Sequence, residues 1–393
     1  MKKYLQRWNA ADRNLRLFLL GVLFLGINNG ILTTSFNNYL NDLFHLSAAQ
    51  RGMLEFPREL PGFILIGVTG FLASYSMRTW SVMVCILSFA GVLGLGFLSP
   101  SLYIMMIWML LWSMGDHLFM PVESTMGLHF AHEGRQGRRL GQISGAKNLA
   151  MIAGSLSVYF LASWLSGGKL YSWLFAFAAA AAVFAAFSFG RISIPADKNK
   201  KNRRFVFRRE YKYFYYLNIL FGARKQIFLT FGPWVLITVF GTEPGTMAVL
   251  IMIASIAGVL FRQVFGIFVD RFGERNMFIA DAVILFIICT GFALSRNVYV
   301  LYFLFIFDNL MFATRIARTT YLSRIAHNKN EIPATISLGI TMDHVVSMTV
   351  PFLGGLIWNR FGYSWVFIAA SALAFAVLFV AFRLGRYDRQ RKG

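Results

Sequence analysis

The sequence predicts an all-α membrane protein: twelve transmembrane helices arranged as two six-helix bundles. Three observations predict it. They are a series of long apolar runs, the placement of Lys and Arg between those runs, and a repeat relating the two halves of the chain. Of 393 residues, 57% are hydrophobic, 17% aromatic and 14% charged. A soluble domain carries roughly 25% charged residues. With a mean hydropathy of +0.58, this composition excludes a disordered chain, a nucleic-acid-binding domain and an ordinary cytosolic enzyme. Cys85 and Cys289 both lie in apolar runs, so neither a disulfide framework nor a Cys-rich metal site is expected.

A helix needs about 20 mostly apolar residues to cross the hydrocarbon core. Runs of that kind, broken at Gly, Pro and charge clusters, fall at 14–41, 48–76, 79–98, 102–131, 138–166 and 170–190. Six more fall at 212–241, 245–268, 275–294, 298–326, 331–358 and 362–384.

Basic residues in the short connections orient these spans. With both termini inside, 27 of the 38 Lys and Arg lie in cytoplasmic segments. They include Lys2, Lys3, Arg7, Arg78, Arg135, Arg324, Lys329, and a dense run from Arg191 to Lys212. The opposite connections hold 4: Arg51, Lys169, Arg296 and Arg360. The formal net charge of +21 is therefore mostly a topology signal, with a secondary role at anionic lipid headgroups.

The basic stretch between the sixth and seventh spans divides the chain into residues 1–190, a linker at 191–211, and residues 212–393. The halves match at an offset of about 192–196 residues. Tyr171-Ser172-Trp173-Leu174-Phe175 answers Tyr363-Ser364-Trp365-Val366-Phe367. Asp116 falls on Asp308, Thr34 on Thr230, and Gly26-Ile27-Asn28-Asn29 on Gly222-Ala223-Arg224-Lys225. Parallel repeats of this kind place a substrate site at their interface near the bilayer midplane.

The connection between the eighth and ninth spans reads Gly266-x-x-x-Asp270-Arg271-x-Gly273-x-Arg275. It resembles the signature loop of the major facilitator superfamily. In that family the stronger copy lies between the second and third spans. Here that copy is reduced to Gly70, Ser74, Tyr75 and Arg78, without the Asp-Arg pair. Gly354-Gly355 and Phe361-Gly362-Tyr363 also resemble the family's joint between its last two spans. The resemblance implies two bundles that rock around a central cavity. It also implies that spans 3, 6, 9 and 12 are peripheral while the others line the cavity. In the loop itself, Asp270 is expected to hold Arg271 or an arginine of a neighbouring helix, and Gly273 to permit a tight turn.

Charged side chains inside spans are costly and read as functional by default. Asn28, Asn29, Asp116, Arg224, Lys225, Gln226, Asp308 and Asp343 fall near the middles of their spans. Arg58 and Glu59 lie toward the outer side, and Glu123, Lys147, Arg315 and Arg318 toward the cytoplasm. Arg224, Lys225, Gln226, Asn28, Asn29, Arg58 and Lys147 are the candidate substrate-binding residues. Arg224 leads them, because its planar fork suits a carboxylate or phosphate. Asp116, Asp308, Asp343 and Glu59 are candidates for proton coupling or charge relay, with His117 and His344 beside acids. Glu123 with Arg315, and Asp270 with Arg271, are candidates for gating. Arg262 and Asp281 read as structural.

These residues point to a secondary transporter that moves a small organic anion by alternating access across the plasma membrane, with protons as the candidate coupling ion. The expected partners are an anionic small molecule and membrane lipid, with no nucleic acid. No cofactor and no metal are expected. The chain lacks Gly-x-x-x-x-Gly-Lys-(Ser/Thr), His-Glu-x-x-His and Gly-x-Ser-x-Gly, so neither direct use of ATP nor an enzyme is expected. The alternative is a proton-coupled multidrug or cation exporter, against which the midplane bases argue.

Overall fold

The computed structural model describes residues 12–72, 75–132, 135–193, 207–328 and 331–390. The expectations for Lys2, Lys3, Arg7, Ser74, Lys329 and most of the basic linker lie outside the described residues. Helices occupy every predicted span. They are α1 (Arg13–Phe44), α2 (Ala48–Met53), α3 (Glu55–Leu72), α4 (Met77–Phe97), α5 (Leu102–His129), α6 (Gln136–Ala162) and α7 (Gly167–Gly190). The second half holds α8 (Lys212–Thr238), α9 (Pro244–Leu294), α10 (Val298–Leu310), α11 (Arg315–Ile325), α12 (Ile332–Phe361) and α13 (Tyr363–Gln390). No strand occurs among the described residues.

Eight of the described helical stretches are long and apolar enough to cross a membrane by length and composition. The 51 residues of α9 are one of them and cover two predicted spans. The predicted spans outside this set, α2–α3, α6 and α8, carry charges such as Arg58, Lys147 and Arg224 within the run.

Local chemistry sets the interruptions. Gly273 divides α9 with φ 77° and ψ 156°, a conformation essentially reserved for glycine, where the signature loop calls for a turn. The tenth span is broken by a 3₁₀ turn at Met311–Thr314 between α10 and α11. Ser47 and Gln50 form a capping box that starts α2: Gln50 N donates to Ser47 Oγ and Ser47 N to Gln50 Oε1. Arg51 is therefore helical and only 3% exposed, which corrects its placement in an outer connection.

The chain forms two compact units. The first comprises residues 1–44, 64–201 and 244–252; the second comprises 45–63, 202–243 and 253–393. They follow the sequence halves except that 45–63 and 244–252 are exchanged, and these two stretches occupy equivalent places in the repeat.

In the first unit α1 packs on α6 and α7, and α4 on α5 and α7. Phe18, Val22, Val84, Val122 and Phe189 are buried in one cluster. In lipid such packing is secured by close contact and interhelical hydrogen bonds more than by hydrophobic transfer. Accordingly Thr34 Oγ1 and Ser155 Oγ lie 2.8 Å apart, and Tyr39 OH donates to Leu95 O at 2.8 Å. In the second unit α8 packs on α12 and α13, and α2 packs on α12. A Cβ at Gly355 would meet the Ala48 carbonyl at 2.6 Å, so Gly355 admits α2 at close range, while Gly354 lies against the Phe231 ring of α8. Both cysteines are free and buried.

Candidate functional site

Successive helical residues point about 100° apart, and α8 uses this to send three neighbours to three different partners. Arg224 donates Nη1 to Asp281 of α9 at 2.9 Å and Nη2 to Asp308 of α10 at 2.8 Å. Lys225 Nζ donates to Asp343 Oδ2 of α12 at 2.6 Å. Gln226 Nε2 donates to Glu55 Oε2 of α3 at 2.7 Å. All these contacts lie within the second unit.

The surroundings of the three differ. Arg224 and Asp308 are each 2% exposed and sealed, whereas Asp281 keeps a small exposed edge at 8%. The Lys225 and Asp343 side chains are 19% and 22% exposed. Gly222, one helical turn before Gln226, lies against Asp343 Oδ1, and no side chain intervenes. Behind the triad, Arg318 stacks its guanidinium 3.5 Å from the Phe221 ring centre and donates Nη1 to Leu217 O at 3.4 Å. Arg318, Thr314, Arg224 and Asp281 line one small cavity together with apolar side chains such as Leu217, Phe221 and Val377.

A second polar network joins α2, α3 and α12 in the same unit. Glu55 accepts from Arg51 Nη1 at 2.5 Å and from Arg58 Nε at 2.7 Å. Arg58 Nη2 also reaches Glu59 Oε1 at 2.5 Å. Glu59 Oε2 lies 3.0 Å from His344 Nδ1. Two arginines and two glutamates thus balance, with the imidazole at the end of the chain.

The first unit holds a sparser set. Asn29 Nδ2 donates to Asp116 Oδ1 at 2.9 Å. Lys147 Nζ donates to Glu123 Oε2 at 2.9 Å and sits 5.6 Å from the Phe119 ring centre. Asn28 is 1% exposed and its amide serves packing: Nδ2 donates to Ala178 O, and Oδ1 accepts from Ser88 Oγ. His117 Nδ1 lies 2.9 Å from Ser113 O one turn earlier.

Several expectations change on this geometry. The predicted anion contacts Arg224, Lys225, Arg58 and Lys147 each have a carboxylate in their own unit. The acids on Arg224 are Asp281 and Asp308. Asp281, read as structural on a peripheral span, is a buried partner of Arg224. Glu123 carries Lys147, while Arg315 is exposed. Asp270 is exposed and makes no ion pair with a described residue, and Arg271 lies over Phe272. The ion pair of that loop belongs to Glu274, which follows the Gly273 break and meets Arg324 of α11 at 3.3 Å.

Just before the first residues of α8 and α12, Arg208 donates Nε to Glu331 Oε2 at 2.7 Å, and Tyr211 OH donates to the same oxygen at 3.0 Å. The Arg208 guanidinium holds the Glu331 carboxyl below the usual carboxylate range. Burial pushes the Tyr211 hydroxyl up.

Comparison with known proteins agrees with this architecture. The sequence matches the Major Facilitator Superfamily over residues 18–332 and 214–393. It is 28% identical over 174 residues to the multi-drug resistance efflux pump PmrA of Streptococcus pneumoniae serotype 4 (strain ATCC BAA-334 / TIGR4), and equally to that of strain ATCC BAA-255 / R6. The match spans 42% of this chain and 42% of each pump. The fold is similar to the crystal structure of the nucleoside transporter NupG (TM-score 0.75, 14% identity, 96% of this chain and 100% of that one). It is also similar to a D-xylose-proton symporter (TM-score 0.69, 15% identity, 93% and 95%). The chain is a multi-pass membrane protein, and it belongs to the major facilitator superfamily.

Proposed function

We propose that this transporter is a proton-coupled exporter of lipophilic, drug-like solutes, working by alternating access in the plasma membrane with both termini in the cytoplasm. The pairing of the midplane bases carries this reading. An anion bound at Arg224 must displace Asp281 or Asp308 and leave that carboxylate buried without its cation. Breaking a buried pair in this way costs about 3–5 kcal/mol. The objection that free midplane bases would repel a cationic drug loses its force once those bases are neutralised. The resemblance to multi-drug efflux pumps supports the same substrate class. The basic excess in the connections assigned to the cytoplasm supports the orientation.

Protons are assigned to the partly exposed Lys225–Asp343 pair and to the Glu59–His344 pair, where a carboxylate and an imidazole share a hydrogen bond. A second reading, transport of a small organic anion, is favoured by one observation. The Lys225 side chain is 19% exposed, so a soluble carboxylate can compete with Asp343 for it.

Purified protein in proteoliposomes tests the proposal. An imposed proton gradient is expected to drive ethidium against its own gradient, and collapse of the proton gradient to stop it. Movement of carboxylates with no movement of ethidium would select the second reading.

A further inference from the structure

The second unit contains an apolar groove to which the proton-coupling assignment above gives no role. Its volume is about 400 Å³, within the range of small-molecule sites. Phe261, Phe265, Phe268 and Phe272 form one wall. Their spacing of four, three and four residues puts all four rings on one face of the α9 arm before Gly273. Phe307 of α10 adds a fifth ring. Phe268 and Phe272 are 41% and 50% exposed, so the wall is open to a ligand.

One acidic side chain lines this groove. Asp281 comes from the α9 arm after the Gly273 break and borders both the phenylalanine groove and the small cavity that Arg224 and Arg318 also line. Its Oδ1 accepts from Arg224, and its Oδ2 carries no hydrogen bond among the described residues. Arg318 lines that small cavity and is not among the residues lining the groove.

We propose that this groove is a binding site for a lipophilic monocation, with the aromatic wall taking the apolar body and Asp281 taking the charge. The proposal rests on the export reading above and deepens it. Ring faces and a carboxylate both attract a cation, and the low local dielectric strengthens both attractions. An anion is repelled by the same carboxylate, and a neutral chain gains nothing from it. Arg224 keeps Asp308 when the ligand shares Asp281, so the triad stays intact on binding. Occupancy of the groove therefore bears on the same carboxylate that ties α8 to α9.

The test is equilibrium binding of radiolabelled tetraphenylphosphonium to the full chain in lipid nanodiscs. Asp281→Asn is expected to weaken binding at least tenfold. The double variant Phe268→Ala/Phe272→Ala, which removes only exposed rings, is expected to weaken it about tenfold while keeping the wild-type melting temperature. Wild-type affinity is expected to be at least tenfold lower for an uncharged analogue of the same shape. Unchanged affinity in the double variant overturns the site, as does equal affinity for the uncharged analogue, which identifies a groove filled by lipid only. Binding is read without transport, so the two readings fail separately. If Asp281-dependent binding holds while proteoliposomes move no lipophilic cation, the site stands and the export reading falls. If ethidium is exported while the double variant binds like wild type, the export reading stands and the site falls.

Discussion

Arg224 Nη2 donates to Asp308 Oδ1 at 2.8 Å, tying α8 to α10. The first repeat makes the corresponding tie between α1 and α5 with an amide donor in place of the guanidinium. There Asp116, the counterpart of Asp308, accepts from Asn29, one residue beyond the counterpart of Arg224. The two repeats thus keep an aspartate at the same place and change what faces it. In the first unit that partner is an amide, half-buried. In the second it is a sealed guanidinium that needs two carboxylates.

Arg224→Ala is expected to act through stability before it acts through substrate recognition. It strands Asp281 and Asp308 in the interior, at a cost of about 3–5 kcal/mol. The melting temperature should fall sharply and recover in large part in the combined variant Arg224→Met/Asp281→Asn/Asp308→Asn. A pure substrate contact would lose transport in Arg224→Ala with the melting temperature unchanged.

Asp343→Asn removes the carboxylate from a pair that is already partly exposed. Loss of gradient-driven transport is expected, with exchange of internal for external substrate retained. Gradient-driven transport at the wild-type rate would remove Asp343 from proton coupling.

Glu331 gives a pH dependence whose sign follows from its pairing. Donation from Arg208 lowers its folded pKa below the unfolded carboxylate value of about 4.3. The contribution is complete above that value and disappears as pH falls through the lowered folded value. The melting-temperature advantage of wild type over Glu331→Gln should therefore shrink steadily on acidification below about pH 4. A constant difference would show that the Arg208 contact does not stabilise the fold.

Gly273→Ala tests the break in α9. No atom lies within 4 Å of the added Cβ, so the penalty is the backbone alone, about 1–3 kcal/mol for a side chain at this φ and ψ. A lowered melting temperature is expected, and an unchanged one would mean the α9 backbone adopts another conformation there.

The spans were legible in the sequence because length and hydropathy suffice to mark them. The turn at Gly273 was legible because the signature loop carries its own glycine. Partner choice was not. Asp281 and Asp308 lie 57 and 84 residues from Arg224, and only the rotation of three helices decides which acid meets which base. Asn28 reads as a cavity residue because a mid-span amide can serve a substrate or a neighbouring carbonyl equally well. In the fold it serves Ala178 O. Arg51 reads as a loop residue because the capping box at Ser47 begins a helix only six residues long. The phenylalanine face from Phe261 to Phe272 was present as a helical spacing, but its meaning depends on Asp281, which the Gly273 break brings beside it.

The central claim is that the paired bases leave this transporter suited to lipophilic cations. Competition in energised proteoliposomes measures it most directly, with ethidium export challenged by excess unlabelled compounds. Tetraphenylphosphonium is expected to inhibit export, and simple carboxylates and phosphates to leave it unchanged. Strong inhibition by carboxylates, with none by tetraphenylphosphonium, would contradict the claim and return Lys225 and Arg224 to the role of anion contacts.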